Sequence, residues 1–167
     1  MHPKRLRRLR GRSYTGFARY SLTFCTRQRR SVFTNARLVD LALMQILRSA
    51  TAGGFEVIAY CAMPDHLHLL VEATAETASL PEFVKGAKQR SSFHTKVLLG
   101  APLWQTGYFE RVLRSEQETK ALALYTIQNP VRAGLVADAG DYPYIGSSRY
   151  TVRELIAWLQ DVDTRPT

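Results

Sequence analysis

The chain has 167 residues, enough for one domain with its own hydrophobic core, and 46% of them are hydrophobic. No apolar run approaches the roughly 20 residues of a membrane helix, and the basic N-terminus lacks the apolar segment of a secretory signal. The formal net charge is +9, and eleven Lys or Arg but no acid precede Asp40. This basic segment favours a polyanion as partner, most simply a nucleic-acid backbone, although a solubilising tail is the alternative.

Residues 1–16 read as an irregular basic arm, and residues 17–167 as a single domain. Two cysteines, Cys25 and Cys61, lie far apart and form no CxxC motif. They indicate two buried thiols in the reducing cytoplasm and give no support to a zinc site. Five arginines of the arm are predicted nucleic-acid contacts: Arg5, Arg7, Arg8, Arg10 and Arg12.

The first half of the domain predicts three strands and a helix. Phe17–Thr26 alternates apolar and polar residues, which is typical of a strand. After the basic loop 27–30, Asn35 is a plausible N-cap for a helix that Gly53-Gly54 ends. Phe55–Ala62, apolar on both faces, predicts a central strand, and His66–Ala73 predicts a strand hairpinned to it.

The second half continues with helices and one more strand. A helix begins near Pro81 and runs to Leu99, and a strand follows within Leu103–Arg114. The next helix is capped by Ser115 and runs to Asn129, and after a turn-rich stretch over 131–150 the last helix covers Thr151–Asp161. The order β-α-β-β-α-β followed by helices predicts an α+β, ferredoxin-like fold, with an antiparallel sheet of four to five strands and helices packed on it.

Two histidines one residue apart are the first candidate site. On a strand, residues two apart share a face, so His66 and His68 present two imidazoles side by side. Such a pair is suited to bind a divalent metal. The alternative is that the two histidines are ordinary residues of a β-sheet with no metal-binding role. Glu72 shares that face and is left either as a metal contact or as a solvent-facing carboxylate.

The third helix holds the second candidate group. Tyr125 and Asn129 are four residues apart and share a helix face. Tyr125 is a candidate nucleophile on phosphorus that needs activation, and a metal on the histidine pair would supply it. Asn129 offers a neutral oxygen ligand, which suits Mg²⁺ or Mn²⁺ better than zinc. The structural alternative for Tyr125 is a half-buried tyrosine that packs on the sheet, and the alternative for Asn129 is a helix C-cap. Three rival tyrosines lack an amide four residues on in a helix: Tyr108, Tyr142 and Tyr144.

Several motifs together carry a resemblance. LYTIQNPVRAGLV, with Tyr125 at its start, and MPDHLHLL, with both histidines, resemble the single-tyrosine HUH transposases, and most of all the REP-associated tyrosine transposases and their stand-alone relatives. LWQTGYFERVLR and DYPYIGSS also look like stretches of that family, and the resemblance covers roughly residues 17–148. It implies the HUH nuclease fold.

The resemblance also implies a function: a metal-dependent single-stranded DNA endonuclease and strand transferase. His66 and His68 match the family's metal ligands, Asn129 matches the residue that completes the coordination, and Tyr125 matches the nucleophile that forms a 5′-phosphotyrosyl intermediate. The implied partners are hairpin DNAs, bound by a monomer or a homodimer. Four further cations, added to those of the arm, would suit DNA binding: Lys88, Arg111, Arg114 and Arg132.

Three other functions remain to be distinguished. A single-strand-binding module of the RRM type would grip bases by stacking, but His66–Ala73 lacks the aromatic signature of such strands. A catalytically retired transposase would bind without cutting. A metal hydrolase that activates water would leave no covalent adduct and would tolerate Tyr125→Phe.

Overall fold

The computed structural model describes residues 13–161. Five strands are present there: Arg19–Cys25 (β1), Phe55–Met63 (β2), His66–Ala73 (β3), Phe109–Leu113 (β4) and Ile145–Gly146 (β5). The helices are Ala36–Ala52 (α1), Leu80–Leu99 (α2), Glu116–Ile127 (α3), Asn129–Arg132 (α4) and Val152–Gln160 (α5). The strands form one sheet in the order β4-β1-β3-β2-β5, and every pair is antiparallel. The predicted α+β, ferredoxin-like fold is confirmed.

The helix boundaries follow from local chemistry. The side chain of Asn35 accepts a hydrogen bond from the Leu38 N–H and so caps α1. Ser115 caps α3 in the same way, and a complete capping box opens α5. Gly100 ends α2 with φ of 67°, a conformation that glycine adopts without the strain of a Cβ. None of the helices over residues 13–161 is both long and apolar enough to cross a membrane.

Helices cover both faces of the sheet, and each face has its own core. We call the side packed by α1 and α2 the helix-pair face; its core includes Leu67, Leu69 and Val71 of β3, all at most 1% exposed. We call the other side, packed by α3 and α5, the histidine face, because His66 and His68 alternate with those leucines.

A β-bulge in β2 decides which of its residues join the histidine face. The pairing register with β3 shifts between Val57 and Ala59, so one residue is unpaired. The side-chain alternation therefore changes phase: Val57 packs in the helix-pair core, whereas Ala59 and Cys61 pack in the core of the histidine face. The bulge thus places Cys61 directly opposite His68 in the ladder.

The structure differs from the sequence-based expectation in the third helix, in the turn-rich stretch and in the basic arm. The third helix was expected to run to Asn129, but α3 ends at Ile127 and α4 begins at Asn129, with Pro130 in its first turn. The turn-rich stretch contains β5, which pairs with β2 and had not been placed. Thr15, assigned to the basic arm, forms a bridge with Ser79. The arm's residues 1–12 lie outside the described part of the chain.

A candidate active site on the histidine face

The two histidines converge through their ring nitrogens. The Nε2 atoms of His66 and His68 lie 3.1 Å apart, with the ring planes nearly perpendicular. Strand β3 produces this arrangement because its side chains repeat every two residues and because its neighbours β1 and β2 hold it in the middle of the sheet. The prediction that the two imidazoles share one face is confirmed.

Each histidine is oriented from behind by a second group. His66 Nδ1 lies 2.6 Å from Asp65 Oδ1, and His68 Nδ1 lies 3.1 Å from the Thr23 hydroxyl. Both Nδ1 atoms are therefore occupied, and both Nε2 atoms face the same space. Histidines that bind metals typically have their second nitrogen engaged in this way.

His68 is held in its neutral form. Burial, together with smaller contributions from the charges of His66, Arg132 and Arg29, lowers its pKa to about 3. A neutral imidazole with a free Nε2 is the form that binds a metal. The donor set thus fits a divalent cation with two nitrogen ligands. Among residues 13–161 no group of three or more His, Cys, Asp and Glu side chains is arranged to hold a metal ion.

The two cysteines lie beside the histidines. Cys25 is opposite His66 and Cys61 is opposite His68, and both thiols are free and buried. Burial raises the pKa of Cys61 to about 12. Its thiol is therefore protonated at neutral pH and is a poor nucleophile.

Tyr125 differs from the other tyrosines in its exposure. All eight tyrosines lie within residues 13–161, and Tyr125, at 54%, is the only one whose surface is more than half exposed. The rival Tyr142 is buried, its hydroxyl donates to the Ala62 carbonyl at 2.7 Å, and burial raises its pKa to about 12. Tyr108 and Tyr144 are half-buried and pack edge-on against other rings. An accessible phenol at this site is therefore offered by Tyr125.

Asn129 compensates for the proline that follows it. Pro130 has no N–H to donate to the Thr126 carbonyl, which would be its helical partner. The Asn129 side-chain amide donates to that carbonyl instead, at 3.2 Å, and to the Tyr125 carbonyl at 3.3 Å. The chain therefore continues from α3 into α4 with one short interruption. The amide nitrogen of Asn129 is thus engaged, whereas its oxygen Oδ1 has no hydrogen bond within residues 13–161.

Helix α3 packs against β2 and β3, which carry the histidine face. Within residues 13–161, no hydrogen bond joins Tyr125 or Asn129 to either histidine. Arg132 connects the two groups electrostatically: its guanidinium stacks on the Tyr125 ring, and its charge contributes to the lowered pKa of His68.

The other predicted DNA contacts are dispersed. Arg111 pairs with Glu118, and the Arg114 backbone N–H donates to the same carboxylate. The half-buried Lys88 ammonium donates to the carbonyls of Gln105 and Gly107, so it braces a loop on the helix-pair side. Their contacts with DNA stay predictions, as do those of the five arm arginines, which lie outside the described residues.

Glu72 takes part in an ion-pair network. Its carboxylate binds Arg19 at 2.7 Å and also Arg149, which in turn pairs with Glu56. Burial raises the pKa of Glu72, but the hydrogen bonds from the two arginines outweigh it, and the net shift is downward. Neither of the two expectations for Glu72, metal contact or plain solvent exposure, describes this position.

The comparisons with known proteins identify the family. A family model described as "Transposase IS200 like" matches residues 17–126, which include both histidines and Tyr125. The chain belongs to the IS200-like transposase family. As a member of this family it is a transposase, an enzyme that acts on DNA. The resemblance found in the sequence is thereby confirmed.

Relatives of this IS200-like transposase extend the match along the chain. It is 36% identical to the ISDra2 transposase TnpA of Deinococcus radiodurans over 121 residues, which is 67% of this chain and 83% of the relative. It is 25% identical to a REP-associated tyrosine transposase of Escherichia coli K12 over 159 residues, 90% of each chain. A solved REP-associated tyrosine transposase bound to a REP hairpin has the same fold, with a TM-score of 0.70 at 22% identity, covering 90% of this chain and 88% of that one.

Sequence reasoning missed the groups behind the histidines. Asp65 lies between the predicted strands Phe55–Ala62 and His66–Ala73, and Thr23 lies within the predicted strand Phe17–Thr26, and neither was singled out. The signal for Thr23 was available, because strand alternation places it on the same face as Ser21 and Cys25. The position of Asp65 depends on the geometry of the β2–β3 turn, for which the sequence carries no comparable periodic signal.

Proposed function

We propose that this transposase cuts and rejoins single-stranded hairpin DNA by transesterification, with Tyr125 as nucleophile and with a divalent metal, Mg²⁺ or Mn²⁺, held by His66 and His68. The observation that carries the proposal is the convergence of the two Nε2 atoms, 3.1 Å apart, on the sheet face that is covered by α3, the helix that bears the exposed tyrosine. The solved relative bound to a REP hairpin supports hairpin DNA as the substrate.

In the cleavage step, the Tyr125 Oη attacks the scissile phosphorus and its proton passes to water. The bond from phosphorus to the 3′ oxygen breaks, so one product carries a free 3′-hydroxyl and the other a 5′-phosphotyrosine. When the 3′-hydroxyl of a DNA end attacks that phosphotyrosine, the phenol is released and the strand is rejoined. One phosphodiester is thus exchanged for another, and no external energy source is required.

The protein's own groups support this chemistry in distinct ways. A metal bound at the site would neutralise charge on the phosphate. His66 and His68 are preorganised for that ion by Asp65 and Thr23. We propose that Asn129 adds an oxygen ligand through Oδ1, which suits Mg²⁺ or Mn²⁺. Arg132, stacked on Tyr125, holds the ring and supplies positive charge near the phenol.

A covalent-capture experiment tests the proposal. Labelled hairpin DNA, taken from the sequence flanking the gene, is incubated with the protein and Mg²⁺ or Mn²⁺, quenched in detergent and separated on a denaturing gel. We expect a protein–DNA band that requires metal and disappears in Tyr125→Phe. The matched control is Tyr150→Phe, which removes the hydroxyl of a half-buried tyrosine stacked on Trp158 and should keep the band. Cleavage without a band, surviving in Tyr125→Phe, would instead identify water as the nucleophile.

A further inference from the structure

The basic loop over residues 27–30 lies at the edge of the candidate site. Strand β1 ends at Cys25, whose partner across the ladder is His66, so the loop leaves the sheet next to the histidine pair. Three of its four residues are arginines: Arg27, Arg29 and Arg30. The proposed reaction uses none of them.

The loop is held in a fixed position by its flanking threonine. The Thr26 hydroxyl donates to the carbonyls of Arg30 and Asp65, at 2.8 and 2.9 Å, and the Thr26 N–H donates to the Asp65 carbonyl. The Arg27 N–H donates to the Leu103 carbonyl at 2.9 Å. These bonds join the loop both to the turn that precedes His66 and to the segment that precedes β4.

The loop backbone is also strained. Gln28 and Arg29 have φ of 56° and 55°, and they are the only two non-glycine residues with positive φ among residues 13–161. A side chain in this region costs of order 1 kcal/mol, a cost that persists where the surroundings impose it. The strain therefore falls beside the histidine pair and fixes the direction in which three arginines leave the backbone.

Arg29 ties this loop to a metal-site histidine. Its Nε lies 3.0 Å from Asp65 Oδ2, and its Nη1 donates to Cys25 Sγ at 2.8 Å. The other oxygen of Asp65 binds His66. Because one carboxylate contacts both residues, the position of the loop and the orientation of His66 are linked.

Arg27 and Arg30 are not neutralised. Both are exposed, and their side chains form no ion pair or hydrogen bond with any residue between 13 and 161. A guanidinium binds phosphate oxygens through two parallel hydrogen bonds, which makes arginine well suited to a phosphodiester backbone. Two such groups on a rigid loop next to a phosphoryl-transfer site form a surface for an extended polyanion.

We propose that the 27–30 loop is a backbone-binding subsite for single-stranded DNA, in which Arg27 and Arg30 contact phosphates next to the one that is cut and Arg29 holds the loop in place. This inference rests on the proposed function for the identity of the strand. It adds a binding element at the end of β1, separate from the basic arm and from Arg132.

The salt dependence of binding tests the subsite. Each phosphate contact on a single strand contributes about 0.7 to the slope of log affinity against log salt concentration. We expect Arg27→Gln/Arg30→Gln to reduce the magnitude of this slope by about 1.4, measured by fluorescence anisotropy with labelled oligothymidine in the full-length protein. The matched control, Arg48→Gln/Lys96→Gln, removes two exposed cations from α1 and α2 on the helix-pair face and should keep the wild-type slope.

The outcomes separate this inference from the proposed reaction. An unchanged slope in Arg27→Gln/Arg30→Gln, or an equal reduction in the control, would overturn the subsite, because the slope would then report net charge alone. The measurement requires neither metal nor cleavage. A reduced slope together with failure of covalent capture would therefore support the subsite and overturn transesterification. An unchanged slope together with a covalent band would overturn the subsite and support transesterification.

Discussion

Arg132 stacks on Tyr125: its guanidinium carbon lies 3.7 Å from the centre of the phenol ring, and its Nη2 donates to the Tyr125 carbonyl at 2.7 Å. The two residues are seven apart, and α4 brings them together because Asn129 replaces the hydrogen bond that Pro130 cannot make. Side chain and backbone of the candidate nucleophile are thus both held by one arginine, which also lowers the pKa of His68.

Replacing this arginine should slow chemistry more than it weakens binding. We expect Arg132→Ala to lower the single-turnover rate of adduct formation about two- to fivefold, since a cation–π contact at an exposed site contributes about 0.5–1 kcal/mol. Arg132→Lys keeps the charge but loses the planar stacking, so its rate of adduct formation should lie between those of the wild type and Arg132→Ala. Affinity for hairpin DNA, measured in parallel, should change less than the rate. Arg153→Ala, an exposed arginine of α5, is the control, and an Arg132→Ala rate equal to it would contradict the stacking role.

Asp65 should control metal affinity although it is not expected to touch the metal. Its carboxylate binds His66 Nδ1 at 2.6 Å and fixes which nitrogen faces the site. Because loss of such an outer partner typically costs 10–100-fold in metal affinity, we expect Asp65→Asn to weaken Mn²⁺ binding by that factor in titration calorimetry. Asp40→Asn, an exposed carboxylate on α1, should bind Mn²⁺ like the wild type. Unchanged affinity in Asp65→Asn would show that His66 needs no such support.

The sheet could be predicted from the sequence because its signals are periodic. Alternation marked β1, and the His66–Leu67–His68 spacing placed two imidazoles on one face, since successive residues of a regular strand point to opposite sides. The bulge in β2 could not be placed, because Phe55–Ala62 is apolar on both faces and so carries no alternation whose phase could be seen to change.

The surroundings of the site were harder to predict for a different reason. Asp65 lies in a turn and Arg29 in a loop, and the backbone conformation of these segments decides whether the Asp65 carboxylate reaches the His66 imidazole and the Arg29 guanidinium. The sequence predicted that the third helix ends at Asn129; Pro130 does interrupt the helix, but the side chain of Asn129 bridges the interruption. Sequence spacing could therefore select Tyr125 and Asn129 as candidates, whereas the stacking of Arg132 on Tyr125 required the structure.

The Glu72 network should make stability depend on pH. The pKa of Glu72 is lowered in the folded chain, so its ion pairs with Arg19 and Arg149 contribute stability at neutral pH, and this contribution is lost as the pH falls below the unfolded value of about 4.3. We expect Glu72→Gln to lower the free energy of unfolding by about 1 kcal/mol at pH 7 and by much less at pH 3, measured by urea denaturation. The exposed Glu76→Gln, in the segment between β3 and α2, should show little change at either pH. An equal loss at both values would assign the effect to packing.

One chain should contain a complete active site. Helix α3 packs on β2 and β3 of its own sheet, and Arg132 of the same chain both stacks on Tyr125 and acts on His68. We therefore expect that mixing His68→Ala with Tyr125→Phe will not restore adduct formation, because the first lacks a proposed metal ligand and the second lacks the proposed nucleophile. Each variant alone gives the background, and wild type mixed with Tyr125→Phe shows that the inactive chain does not inhibit. A labelled DNA band on the His68→Ala chain, made distinguishable by a size tag, would mean that the tyrosine of one subunit serves the histidines of another.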